Sequence, residues 1–277
     1  MPATPPAEIA PPAELAGRPY LRRKACRHGT MIYNVNDIYI GRSLDLYGEY
    51  VEGEAELYRR LLRPGDVVVE AGANIGAFSV PIARLVGAQG RLHAFEPQGE
   101  VEAILRANLA LNGLAHAVTY RAGLGAAAGE MRVPPVDYAR QRNFGGIELV
   151  AGGDGEAVPI RTVDGLGLAR CDLIKIDVQG MELAVIEGAA ATIARCRPAL
   201  YVENDQQAHS PALIEALLGL GYRLWWHLPR LFQPANFRQR KDNVFGNALN
   251  ANMLALPEGR DAAAAEGLRR IASPQDW

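Results

Sequence analysis

The sequence predicts an open, doubly wound α/β sheet of seven mainly parallel strands in a three-layer α/β/α arrangement. Three observations predict it. Short apolar runs recur from Asp66 onward, separated by helical patterns of about ten residues, the crossover length that right-handed parallel connections need. The runs are apolar almost throughout, as in strands covered on both faces. Residues 66–76, Asp-Val-Val-Val-Glu-Ala-Gly-Ala-Asn-Ile-Gly, read as a buried strand that stops at an acid, turns tightly on glycine and opens a helix.

The elements follow in order. Val67–Ala71 is the first strand, with a helix near Gly76–Val86 behind it. Arg91–Phe95 is the second strand, and Gly99–Asn112 is a helix stopped by Leu-Asn-Gly. Val118–Ala122 is the third strand. Asp172–Asp177 and Ala199–Glu203 are strands joined by a helix through Met181–Ala194. Pro211–Leu220 is a helix ending at Gly221, and Tyr222–Trp226 and Met253–Leu256 are the last strands. Residues 129–160 break the rhythm. They are rich in Gly and Pro, carry Asn143-Phe144-Gly145-Gly146, and are expected to form an inserted hairpin near the substrate.

This divides the chain into a disordered Pro/Ala-rich tail over 1–19, a lid or substrate-side segment over 20–65, the main domain over 66–257 and a helical tail over 258–277. The first 19 residues hold six of the 18 prolines and lack the basic start and apolar run of a secretory signal. The hydrophobic fraction, 49%, is ample for a sizeable core. A net charge of −2 argues against an extended nucleic-acid partner. No apolar run approaches the roughly 18 residues of a membrane span. Cys26, Cys171 and Cys196 are scattered, which suggests neither a disulfide framework nor a cysteine zinc site and makes a reducing cytoplasm the expected location.

The glycine turn is a nucleotide-cofactor loop with the wrong spacing for NAD. A dinucleotide loop wants glycines at x, x+2 and x+5; counting from Gly72, those later positions hold Asn74 and Ala77. Glu70-x-Gly72-x-Asn74-x-Gly76 is similar instead to the S-adenosylmethionine (SAM) loop of class I methyltransferases. The backbone from Gly72 and Ala73 to Gly76 can approach a ligand, and the helix N–H groups beyond can receive a carboxylate. Glu70 is placed to accept a bond from an ammonium group, and Asn74 tolerates the left-handed turn. The second strand ends at Glu96-Pro97, where an acid can accept both hydroxyls of a ribose. Gly123-Leu124-Gly125, after the third strand, either offers Leu124 to an adenine pocket or is a plain turn.

Residues 173–189, Leu-Ile-Lys-Ile-Asp-Val-Gln-Gly-Met-Glu-Leu-Ala-Val-Ile-Glu-Gly-Ala, resemble the hallmark segment of the FkbM-type SAM-dependent methyltransferases. Thr162-Val163-Asp164, Arg197–Glu203 and Ser43–Tyr50 fit the same family, so that the resemblance spans roughly 35–257. It implies a class I (Rossmann-like) fold, SAM as cofactor, and methylation of hydroxyl groups on sugars, polyketides or related metabolites. Gln179 departs from the pattern, which usually has Glu there.

Methyl transfer to a hydroxyl requires alignment, exclusion of water and a group to take the proton, or a metal that acidifies the hydroxyl. Asp177 and Glu203 end adjacent strands. They can share base and electrostatic roles, serve the cofactor in the case of Asp177, or together hold Mg2+; capping a helix and bonding loop amides are their structural alternatives. His227 and His209 each follow a strand and titrate near neutrality, which makes either a candidate base. Lys175 is expected to pair with an acid, and Glu182 suits the first turn of its helix. Tyr47 and Glu49 could fold over the cofactor as a lid, and Trp225-Trp226 could stack on a sugar or pack in the core. No Asn-Pro-Pro-Tyr motif follows the fourth strand, which lowers the case for N-methylation. The expected activity is a SAM-dependent O-methyltransferase acting on a glycan or small metabolite; the alternatives are a nicotinamide-dependent oxidoreductase and a non-catalytic SAM-binding protein.

Overall fold

The computed structural model describes residues 17–277. The disordered tail expected over 1–19 falls, up to residue 16, outside the described residues.

Two strands, β1 (Leu21–Cys26) and β2 (Gly29–Asn34), form an antiparallel hairpin. Helices α1 (Ile40–Tyr47) and α2 (Glu52–Leu61) follow. The alternating segment then runs β3 (Val67–Ala71), α3 (Ser79–Val86), β4 (Arg91–Phe95), α4 (Gly99–Leu111), β5 (Ala117–Tyr120). A second small sheet takes β6 (Gly123–Leu124), β7 (Gly129–Val133) and β8 (Glu156–Arg161). Next come β9 (Leu173–Ile176), α5 (Glu182–Glu187), α6 (Ala190–Cys196), β10 (Ala199–Glu203), α7 (Ser210–Gly219), β11 (Tyr222–His227), β12 (Asn252–Pro257) and β13 (Arg269–Ile271).

The main sheet has the order β13-β11-β12-β10-β9-β3-β4-β5. Strands β5, β4, β3, β9 and β10 pair in parallel, whereas β12 lies antiparallel to both β10 and β11. From β3 the chain winds outward through β4 and β5, then returns to β9 on the other side. The switch in strand order therefore falls between β3 and β9, where open α/β sheets bind ligands. One face of the sheet packs Leu57, Ile82 and Leu105 from α2, α3 and α4; the other packs Val185, Ile193 and Ile214 from α5, α6 and α7. This is the three-layer arrangement expected, with an eighth strand added.

Two expectations change. No α-helix forms past Glu258; the alanines make one 3-10 turn at Ala263–Ala265, and Arg269–Ile271 then pairs with β11. The helix expected through Met181–Ala194 is divided into α5 and α6 at Gly188-Ala189; Gly188 lies against the backbone of Gly125, where any Cβ would strike the Gly125 carbonyl. The inserted hairpin does form, since β7 and β8 pair antiparallel. Among the described residues no helix is long and apolar enough to cross a membrane. The hairpin β1–β2 is tied to the domain by Asn108 of α4. Its buried amide accepts the Ile32 N–H at 2.6 Å and donates to the carbonyls of Ile32 and Ile75 at 2.9 and 2.8 Å.

Candidate active site

A cavity of about 310 Å³ opens beyond the carboxyl ends of β3, β4, β9 and β10. Its first wall is the turn after β3. The N–H groups of Gly72 and Ala73 both donate to the Phe95 carbonyl, at 3.0 and 2.9 Å, which folds the turn over the end of β4. Gly72 has φ +78°, and a Cβ there would collide with the carbonyl oxygen of Asp177, so no other residue lets this turn approach β9. Asn74 is also left-handed, at φ +49°, and its side-chain oxygen accepts the Ile75 N–H at 2.8 Å.

Glu96 is the second wall. Its carboxylate is 3% exposed and accepts the Asn74 N–H at 3.0 Å and the Gln98 N–H at 2.9 Å, one on each oxygen. Each oxygen keeps a lone pair for a further donor. Burial pushes the carboxyl up to about 7 against those two amide bonds. Gln98 holds the insertion over this end by donating to the Phe144 carbonyl at 2.9 Å. Pro97, Leu124, Asn143 and Gly145 complete the wall.

Glu70 stands behind the lining. It is fully buried, accepts the Ser79 hydroxyl at 2.6 Å on one oxygen, and leaves the other without a hydrogen bond, 4.0 Å from the Lys175 ammonium. Burial raises it to about 7, opposed by Lys175. Its place in the fold is that of a wall support, which shapes the turn through α3 and meets the cavity through Lys175.

The third wall is acidic. Asp177 lines the cavity and accepts the Lys175 ammonium at 3.0 Å. Glu203 and Asp205 line it as well. Burial raises Glu203 well above the usual carboxylate range, and the nearby charges of Asp177 and Asp205 add to the rise. Burial, then Asp177, raises Asp205. Gln179, left-handed at φ +54°, donates from its amide to Glu203 at 2.7 Å. A glutamate in its place would have no proton to give at neutral pH and would add a further acid. Burial opposes charge on Lys175, but Asp177, Glu70 and Glu54 together hold it protonated above its ordinary value. Glu182 caps its own turn, accepting the N–H groups of Gly180 and Val178 at 3.0 and 3.3 Å.

The remaining wall was not read from the sequence. Tyr39, Tyr50, Leu231, Leu249 and Asn250 line the cavity from segments before β3 and between β11 and β12. Tyr50 precedes Val51, a buried β-branched residue held at φ +39°, a conformation such residues rarely take. Beneath this wall Glu54 of α2 accepts the amides of Asn250 and Asn252 at 2.7 and 3.2 Å and the Tyr58 hydroxyl at 3.1 Å. Burial raises Glu54 to about 7. Tyr50 lies in the Ser43–Tyr50 segment that carried part of the family resemblance, a signal that pointed to the segment but not to the residue.

Several expected residues stand apart. His227 accepts or donates to the Tyr201 hydroxyl at 2.8 Å and lines a separate depression with Arg60 and Glu266. Burial, with Arg60, pushes it down to about 4, which leaves it neutral at pH 7. His209 precedes α7, exposed and outside the cavity lining. Tyr47 and Glu49 are not a lid. The Tyr47 hydroxyl donates to the Asp242 carbonyl at 2.8 Å and accepts the Val244 N–H at 2.9 Å. Glu49 accepts Arg27, Gln233 and the Phe237 N–H at 2.6–2.7 Å. Both brace the long β11–β12 connection. Trp225 and Trp226 are buried on opposite faces of the sheet. Among the described residues no group of three His, Cys, Asp or Glu gathers to hold a metal ion. Asp177 and Glu203 instead engage Lys175 and Gln179.

The family model that matches this chain, Methyltransferase FkbM domain, covers residues 70–224, more than half its length. The chain belongs to the FkbM methyltransferase family. It is 31% identical over 188 residues to the methyltransferase sdnD of Sordaria araneosa, covering 54% of this chain and 71% of that one. It is also 31% identical over 204 residues to the AMB antimetabolite synthetase AmbE of Pseudomonas aeruginosa; the match takes 57% of this chain but spans only 10% of AmbE. The precorrin-6y C5,15-methyltransferase of Geobacter metallireducens has a similar fold, with a TM-score of 0.50 at 14% identity over 74% of this FkbM chain and 87% of that one.

The FkbM site fits SAM on its own chemistry. Glu96 has lone pairs for ribose hydroxyls, Pro97 and Leu124 give a flat ring apolar walls, and Gly72, Ala73 and Asn74 present backbone; Gly76, expected there as well, lies outside the lining with its N–H on the Ala73 carbonyl at 3.0 Å. Among the described residues the lining holds no arginine, and its single lysine is spent on carboxylates.

Proposed function

We propose that this chain transfers a methyl group from SAM to a hydroxyl of a glycan or small metabolite. The observation that carries the reading is the position of Asp177: it ends the strand next to the glycine turn, and its carboxylate lines the same cavity as Asn74 and Glu96.

When bound, SAM supplies a methyl group on a positively charged sulfur, a good leaving group. Glu96 would hold the ribose, the turn at Gly72, Ala73 and Asn74 would face the amino-acid end, and Leu124 with Pro97 would flank the adenine. Glu70 supports the turn from behind. Asp177 is the group placed to take the proton of the acceptor hydroxyl as its oxygen gains the methyl group. Lys175 fixes the Asp177 carboxylate by its 3.0 Å bond. Glu203, whose proton affinity is raised by burial and by Asp177, shares the charge of that corner and is oriented by Gln179. General-base assistance of this type contributes about 10²- to 10⁴-fold.

The test is release of S-adenosylhomocysteine (SAH) from SAM across a panel of hydroxylated sugars and metabolites, with and without EDTA. Acceptor-dependent release that persists in EDTA is the expected result. Release abolished by EDTA would replace carboxylate catalysis with a metal at Asp177 and Glu203. SAM binding without release on any acceptor would favour a non-catalytic protein.

A further inference from the structure

The charge inventory of the cavity bears on the acceptor itself, given the reading of the site as a methyltransferase centre. Among the described residues four acids and one lysine line it: Glu96, Asp177, Glu203, Asp205 and Lys175. Glu96 belongs to the ribose end. Lys175 is 2% exposed and already lies 3.0 Å from Asp177 and 4.0 Å from Glu70. Among the described residues no lining cation is left to meet an anionic acceptor, and three acids face the space where an acceptor must lie. The other polar groups on that side are neutral: the phenols of Tyr39 and Tyr50 and the amides of Gln179 and Asn250.

The mouth next to these acids is apolar. Tyr39 and Leu249 are 37% and 44% exposed, two of the few large hydrophobic side chains that the fold leaves open, and both line the cavity. Leu231 and Ala248 continue the surface inward. The wall is built rather than loose. Tyr39 stacks on Phe245 with ring centroids 6.3 Å apart, and Asn250 beside Leu249 is gripped by Glu54 at 2.7 Å. An apolar surface at the mouth of a small-molecule site is covered when the ligand brings apolar surface of its own.

We propose that the acceptor is an amphipathic hydroxylated compound without negative charge, its polar head over Asp177, Glu203 and Asp205 and its apolar part against Tyr39 and Leu249. Phosphorylated sugars, nucleotide sugars and uronic acids are then excluded as acceptors, and an amino group on the head is accepted. Asp205, exposed at the strand end and not engaged with Lys175 or Gln179, is the residue that enforces the charge rule.

The test uses the full chain in two titrations. SAH is added first by calorimetry. The SAH-saturated protein is then titrated with octyl glucoside, octyl glucuronide and methyl glucoside, all below micelle formation. Octyl glucoside should bind at least about tenfold tighter than octyl glucuronide, the factor expected for one like charge near a partly screened acid cluster. It should also bind at least about tenfold tighter than methyl glucoside, since two buried methylenes already supply that much. Asp205→Asn should narrow the first gap, and Leu249→Ser the second. Octyl glucuronide binding as tightly as the neutral probe, or no probe binding at all, would overturn the proposal while leaving the SAH result intact. Failure of SAH to bind would instead remove the reading of the cavity on which it rests.

Discussion

The two ends of the cavity are built in opposite ways. The proposed cofactor end comes from contiguous motifs, Gly72 to Asn74, Glu96-Pro97 and Leu124, all within the family match over 70–224. Backbone groups do most of its work: the Phe95 carbonyl takes two N–H groups, and Glu96 takes two more. The proposed acceptor end adds to the acids Asp177, Glu203 and Asp205 the residues Tyr39, Tyr50, Leu231, Leu249 and Asn250, and these five all lie outside that match. It is joined by long-range side-chain bonds such as Glu54 to Asn250 and Glu49 to Gln233. A shared cofactor is met by a shared local turn, whereas an acceptor is met by whichever distant segments fold over the sheet edge. Asp177 stands between the two ends.

The largest expected effect tests that junction. Asp177→Asn keeps the shape but cannot take a proton, so kcat should fall about 10²- to 10⁴-fold while SAM affinity falls far less. A parallel loss of both would move Asp177 into the cofactor end. Next is Gly72→Ala, which forces a side chain into a left-handed turn against the Asp177 carbonyl. SAM affinity should drop about a hundredfold, in line with the strain of one such residue, with a thermal melt to confirm that the fold survives. An unchanged dissociation constant would break the claim that the turn must lie against β9.

The pH dependence of stability probes the buried acids under both ends. Glu54, Glu70 and Glu96 lie near 7 in the fold, against about 4.3 for an unfolded glutamate. The folded chain therefore holds more protons between those values. Their contribution is complete below about 4.3 and is lost as pH rises through about 7. The melting temperature should fall over that interval, and Glu54→Gln should flatten the slope. The smallest effect is reserved for His227→Gln, which should leave kcat within about threefold, because His227 faces the separate depression and surface-like polar changes away from chemistry are small.

The sheet was readable because seven of its strands are short apolar runs between strong stops. The eighth was not. In Arg269-Arg270-Ile271 only Ile271 is buried, and the alanines before it suggest helix; pairing with β11 decides the outcome, as tertiary context often overrides propensity. The cofactor end was legible because its residues are close in sequence. Tyr50 and Asn250 were not, since 200 residues separate them and only the fold makes them neighbours of one cavity. His227 was misjudged for a related reason. It ends a strand at the ligand-bearing edge of the sheet, but β12 lies between it and β10, and its ring is taken by Tyr201.

The central claim is that SAM occupies the cavity between the glycine turn and Asp177. The most direct measurement is a crystal structure of the full chain with SAH. The ribose hydroxyls should bond Glu96, the amino-acid end should meet the Gly72–Gly76 turn, and the sulfur should face the corner of Asp177. SAH bound elsewhere, or a cavity that takes up NADH and refuses SAH, would contradict it.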